Sequence, residues 1–590
     1  MFRLMIGISV ARRNEIRKRA GRAAEEPNIM SGLGKPVDRD TFLAPVAPRR
    51  AGRTKTAIVL SFFFLFANFA AAQESSGAQA RADAHGKQRA GVTRFRARVE
   101  TALAEAHARR ASWGMVVADR DTGAELYALN ADNFFTPASN AKIFTTALAL
   151  ATLGPNYRFR TTLETRGTLG NDGALAGDLI LVGRGDPDLS NRKFPYAGKV
   201  EREGSADKVL AELADAAIAK GLKEVRGDIV ADDSYFPYDP YPAGWSVGDL
   251  FFTFGASVSA IAFNDNTITI AVLPGARAGE PALLTVEPEV ALDTFGHEIT
   301  TGAPDAKPDF AVVRQPGTNF LLLRGVIPLG HAEMKLDFAA SDPAELAARS
   351  LKQLLEARGV RVTGGVRVNH APPPDTTDTG DLPPPPVAAP AGEPTTLAEH
   401  LSPPLLESVR VTNKISHNLH AELQLRTVAR EKTGIGSTVA AIKAEQEFLK
   451  AAGIADGDVL LFDGSGLAGD DLVTPRAVVE LLAYAAKQPW GDDYISTFAL
   501  AGVDGTLDSR MKGTPAEGVV RAKSGTHEHA HALSGYATTL RGERLVFSIL
   551  SNNTTERGHD ATAAIDAISV AMVETLGVPA PPSKGKPKKK

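Results

Sequence analysis

Ser139 and Lys142 are the first residues along this chain whose types and spacing suggest chemistry. They lie in Thr136-Pro137-Ala138-Ser139-Asn140-Ala141-Lys142. The apolar pattern that follows predicts a helix to Leu153, stopped by Gly154-Pro155. Residues three apart at the start of a helix share a face. A lysine kept neutral by burial or by nearby positive charge could accept the serine proton. The helix N-terminus would favour the negative charge that develops. Alone, the pair reads first as an N-cap serine with an exposed lysine.

Two further groups alter that balance. Ser416-His417-Asn418 sits inside a helical pattern, and Lys523-Ser524-Gly525-Thr526 precedes a hairpin pattern. Ser-x-x-Lys, Ser-x-Asn and Lys-Thr-Gly groups in this order mark β-lactamases and penicillin-binding proteins. Ser139 and Ser416 are too far apart for a class A β-lactamase. The chain resembles the class C low-molecular-mass penicillin-binding proteins, the D-alanyl-D-alanine carboxypeptidase/endopeptidase family of serine peptidases. Gly183-Arg184-Gly185-Asp186-Pro187, Gly227–Phe236, Asp463-Gly464-Ser465-Gly466-Leu467, Leu472-Val473-Thr474-Pro475 and Gly502–Leu507 are similar to it as well. On composition alone, the Asp186-Pro187 and Asp463–Gly466 stretches read as scaffold turns.

The resemblance implies an acyl-enzyme on Ser139, with Lys142 as base. Ser416 and Lys523 would relay a proton to the departing D-alanine amine, and Asn418 would hold the peptide amide. Ser524 and Thr526, with the Lys523 charge, would bind the terminal carboxylate. The backbone N–H groups of Ser139 and Thr526 would form the oxyanion hole. Implied partners are peptidoglycan peptides as substrates and β-lactams as covalent inhibitors, with no metal and no cofactor. Two positions depart from the family pattern. His417 replaces an aspartate and is expected to point away from Ser416, and Ser524 replaces a threonine but keeps the hydroxyl. A β-lactamase-like hydrolase and a silent wall-binding scaffold are the alternative readings. No glutamate can be placed as a hydrolytic base for the first, and the intact set of reactive residues argues against the second.

His527, His529 and His531 alternate, so on one strand they would share a face. They are expected to line the cleft rim or pack beside its strand, not to bind a metal.

These groups need elements to position them. Val92–Arg109 reads as a helix, Gly114–Ala118 and Ala124–Leu129 as strands. A stretch from Tyr157 to His370 is rich in short strand patterns and turns. Helical patterns resume at Leu397. Ala530–Leu540 and Leu545–Ser551 form a hairpin pattern, and Ile565, Ile568, Met572 and Leu576 mark one face of a closing helix. The expected fold is multidomain α/β: a penicillin-binding/β-lactamase-like catalytic domain, with an antiparallel sheet flanked by helices and mostly β domains inserted. The catalytic domain is expected to use residues 88–160 and 395–577. A second domain would use 161–190 and 321–370, with a third, 191–320, nested within it. Residues 371–394 form a proline-rich linker.

The remaining features concern location. Arg49, Arg50, Arg53 and Lys55 precede an apolar run from Ala57 to Phe69, then Ala70-Ala71-Ala72. This is the layout of a secretory signal within a leader covering 1–72. The run is short of the roughly 20 residues that span a bilayer, so export to the periplasm or cell envelope is expected, with membrane anchoring as the less favoured reading. A formal net charge of −3 gives no sign of a nucleic-acid partner. The absence of cysteine excludes a thiol nucleophile and disulfides. A basic tail, 578–590, closes the chain.

Overall fold

The computed structural model describes residues 90–576, except 106–107, 197–201, 203, 291–293, 315–317, 374–392 and 556–558. The leader, its signal pattern, most of the proline-rich tract and the basic tail lie outside the described residues.

A six-stranded sheet is built from both ends of the chain. Ser112–Asp119 (β1) and Glu125–Leu129 (β2) come first. Ala499–Leu500 (β3), Val520–His527 (β4), Ala530–Thr538 (β5) and Arg544–Asn552 (β6) come last. They form one antiparallel sheet in the order β2-β1-β6-β5-β4-β3. Alternating side chains on a strand face opposite ways, so each face needs its own cover. On one face Phe95 and Val99, from a helix over 90–104, pack with Ile565, Ile568 and Met572 of the closing helix His559–Thr575 and with Leu576 just after it. On the other face lies the helix Pro475–Ala485, with the helices Ala141–Leu153 (α1), Leu405–Ile415 (α2) and Asn418–Thr433 (α3) joined to the same core. Phe144, Leu148, Val409, Leu425 and Val428 share one core there.

The intervening chain forms separate sheets. A mixed five-stranded sheet runs Val366–Ala371, Ile229–Pro237, Leu179–Val182, Arg160–Thr165, Thr395–Leu401. Two amphipathic helices, Lys208–Ala219 and Pro343–Ala357, pack on it. Two three-stranded sheets are nested within, one centred on Thr267–Leu273 and the other on Phe320–Pro328. The inserted part is thus more helical than its strand and turn signals suggested.

The segment around Leu397 corrects an expectation. It is a strand, and helix begins only at Leu405. A register shift between Thr396 and Ala398 lets Leu397 and Ala398 both be buried. Two adjacent apolar residues with a third at Leu401 therefore looked helical.

Candidate active site

Ser139 lies in a tight turn, Ala138–Asn140, immediately before α1. Ala138 has φ 48°, a left-handed conformation that a residue with a Cβ adopts at a cost. Neighbours hold the turn in place. The Thr136 N–H donates to Asn552 Oδ1 at 2.8 Å, and the buried Asn140 amide donates to Ser534 Oγ at 2.7 Å. Two glycines admit the surrounding chain. A Cβ at Gly466, whose φ is +75°, would lie 1.9 Å from the Ala138 carbonyl oxygen. A Cβ at Gly525 would come within 2.7 Å of Pro137 O and 3.2 Å of Ser139 N. The middle of the Lys523–Thr526 group therefore runs directly against the serine turn.

Lys142 is fully buried one turn further along. Its Nζ lies 2.9 Å from Ser139 Oγ, 2.6 Å from Asn418 Oδ1 and 2.5 Å from Ser465 O. Burial lowers its pKa to about 8, while the carboxyls of Asp463, Glu422 and Asp471 oppose the shift. Glu422 is itself buried and raised to about 8.

The second pair forms at a helix break. Ser416 ends α2 in the left-handed region, φ 62°, and α3 starts at Asn418. The break brings the Ser416 hydroxyl to within 2.8 Å of Lys523 Nζ. Lys523 is also fully buried and donates to Ser524 O at 2.7 Å. Burial, reinforced by the charge of Lys142, holds its pKa well below the usual lysine range. Ser524 Oγ donates to Thr506 Oγ1 at 2.7 Å, and Thr526 is exposed on the same strand.

Ser139, Lys142 and Asn418 are thus brought together, and so are Ser416 and Lys523, with Gly525 backing the serine turn. Asn418 differs from the role the resemblance implied. Its Oδ1 faces Lys142, and its Nδ2 donates to Phe254 O of the inserted part at 2.8 Å. Both ends of the amide are therefore engaged within the protein.

The histidine triplet is also corrected. His527 ends β4, His529 sits in the hairpin turn and His531 is in β5, so the three do not share one strand face. His529 Nδ1 lies 2.8 Å from Thr554 O, and His531 is buried with its pKa lowered to about 4, mainly by burial.

Sequence reading missed three contributors. Ser465 and Phe254 act through carbonyl oxygens, which no side-chain type signals. Asp463 was read as part of a turn. Its carboxylate accepts from the N–H groups of Ser465, Gly466, Leu467 and Ala468, from Ser465 Oγ and from Trp245 Nε1. That loop shapes the floor under Lys142.

The D-Ala-D-Ala carboxypeptidase 3 (S13) family model matches residues 95–382 and 385–572. A D-alanyl-D-alanine carboxypeptidase of Actinomadura sp. (strain R39) is 34% identical over 516 residues, 85% of this chain and 88% of that protein. D-alanyl-D-alanine carboxypeptidase DacB of Haemophilus influenzae is 28% identical over 424 residues, 71% of this chain and 80% of that protein. The crystal structure of penicillin binding protein 4 (dacB) from Haemophilus influenzae superposes with a TM-score of 0.66 at 25% identity, covering 80% of this chain and 98% of that one. The same protein complexed with a β-lactam gives 0.63 at 23% identity over 81% and 98%. The paired lysines, the two serines and the extent of these matches lead to one assignment: the chain belongs to the D-Ala-D-Ala carboxypeptidase 3 (S13) family of peptidases.

Proposed function

We propose that this serine-type D-alanyl-D-alanine carboxypeptidase works through an acyl-enzyme on Ser139, and that its substrates are peptidoglycan stem peptides. The observation that carries the reading is the convergence of Ser139 Oγ, Asn418 Oδ1 and Ser465 O on one buried Lys142 Nζ. A neutral amine has two N–H donors and one lone pair. Two carbonyl-type acceptors take the two donors, which leaves the lone pair for the Ser139 hydroxyl proton. Ser139 Oγ attacks the carbonyl carbon of the penultimate D-alanine, and its proton passes to Lys142. The C–N bond then breaks, and the departing amine takes a proton by way of Ser416 and Lys523. Water adds to the resulting ester, releases the shortened peptide and restores the serine. The N–H groups of Ser139 and Thr526 hold the oxyanion, and Ser524, Thr526 and Lys523 hold the terminal carboxylate.

In this reading Asn418 positions Lys142. Cleavage of a terminal D-alanine and of a D-alanyl crosslink would use the same groups. A β-lactam carries an equivalent carboxylate and a strained amide, so it would acylate Ser139 and stay. The leader pattern and the substrate together favour the periplasm or cell envelope. Among the described residues no helix is long and apolar enough to cross a membrane.

The test is release of D-alanine from a peptide ending in D-Ala-D-Ala, beside a Ser139→Ala control that melts like the wild type. Release by the wild type alone is expected. Equal release by the control would remove Ser139 from the mechanism.

A further inference from the structure

A second buried group of polar side chains adjoins the active site and takes no part in acyl transfer. His417 immediately precedes α3 and His420 stands in its first turn, on either side of Asn418 and Leu419. Their rings are 4.3 Å apart between centroids. Asp265 approaches from the inserted part, within a run of three left-handed residues, Asn264, Asp265 and Asn266. One ligand atom from each of Asp265, His417 and His420 lies within 4.8 Å of the other two.

Among the described residues, the bonding of these groups is incomplete in a consistent way. His420 is fully buried. Its Nδ1 lies 3.3 Å from the Ser408 hydroxyl, while its Nε2 is buried without a partner. That is how a histidine ligand is held, one ring nitrogen fixed by a neighbour and the other left open. His417 Nδ1 is also buried without a partner. Arg192 and Arg202 both bind Asp265 Oδ2, at 2.5 and 2.8 Å, and Oδ1 has no partner. Asp188 is 3% exposed, and neither of its carboxylate oxygens has a partner. Burial raises the pKa of Asp188 and of nearby Asp186, to about 7 for Asp186, and a dication beside them would favour their charged forms. Buried polar atoms are normally satisfied by protein, water or an ion.

The donor set selects the ligand. Two imidazoles with a carboxylate suit a borderline-soft dication, whereas Mg²⁺ and Ca²⁺ favour all-oxygen sites.

We propose that Asp265, His417 and His420 bind a transition-metal dication of the Zn²⁺ class, with Asp188 supplying compensating charge. The ion joins the start of α3 to the inserted part, through residues that flank Asn418. This goes beyond the acyl-transfer reading and does not rest on it.

The test uses the full chain, loaded with Zn²⁺, freed of weakly held metal and assayed by elemental analysis. About one tightly held zinc per chain is expected, with most of it lost in His420→Gln and kept in His529→Gln. The wild type should also melt higher in zinc than in chelator, and His420→Gln should show no such difference. A wild type that retains no more zinc than His420→Gln overturns the proposal and leaves water as the occupant. Equal, undiminished zinc in His420→Gln overturns it in favour of binding elsewhere. Should His420→Gln fail to fold, Co²⁺ on the wild type decides the matter. Visible bands that Zn²⁺ displaces support the site, and their absence overturns it.

Discussion

Lys142 and Lys523 are both fully buried within one active site, yet their surroundings differ in charge. Lys142 faces Asp463, Glu422 and Asp471, which recover part of what burial takes away and leave its pKa at about 8. Among the described residues Lys523 has no such counter-charge. Its principal charged neighbour is Lys142, which pushes it further down. The difference suits two tasks. A group with a pKa near the working pH can take a proton and return it. A buried lysine lacking a counter-ion is ready for one, and the terminal carboxylate of the substrate would supply it. Binding should then restore the charge on Lys523 and ready it to serve the leaving amine.

The largest effect expected from breaking this comparison is loss of the base. Lys142→Ala should slow acylation by a fluorescent penicillin by about 10³- to 10⁴-fold. Lys523→Ala should slow it by about 10²-fold and, unlike Lys142→Ala, should abolish any preference for the free acid over its methyl ester. Rates for the free acid and the ester with both variants check this, and an unchanged preference in Lys523→Ala would separate that lysine from the carboxylate.

Next in size is the floor of the Lys142 pocket. Gly466→Ala places a Cβ against the Ala138 carbonyl and strains a left-handed residue. A loss of about 3 kcal/mol in stability is expected, with acylation slowed about 10²-fold by displacement of the serine turn. Denaturant unfolding and labelling kinetics measure the two.

The smallest effect concerns charge alone. Glu422 Oε1 accepts from the Gly464 N–H, which a glutamine oxygen can also do. Glu422→Gln should therefore leave stability nearly intact and remove the charge that Glu422 gains as pH rises through its own pKa of about 8, a charge that raises the Lys142 pKa. The pH midpoint of acylation should move downward, by less than about one unit.

Local motifs made the reacting side chains legible. Ser139 with Lys142, Ser416 with Asn418, and Lys523 through Thr526 are short groups whose spacing fixes which face they occupy. The groups that complete the site were not legible. Ser465 and Phe254 contribute carbonyl oxygens, and the role of Asp463 depends on how its loop folds back on itself. Asp265 comes from the inserted part, so nothing near His417 in the sequence announces it. The helices Lys208–Ala219 and Pro343–Ala357 were legible in principle, since Val209, Leu210, Leu213, Ala214 and Ala217 repeat at helical spacing and are buried. The surrounding turn residues outweighed that signal. At Leu397 the opposite occurred, and a bulge in a strand imitated a helical pattern.

The central claim is that neutral Lys142 takes the proton of Ser139. The pH dependence of the second-order rate of Ser139 acylation by penicillin tests it most directly. A lysine is neutral above its pKa, so the rate should climb with pH through a midpoint near 8 and then level. A rate that stays flat between about pH 6 and about pH 10, or falls across the region where Lys142 loses its proton, would contradict the claim.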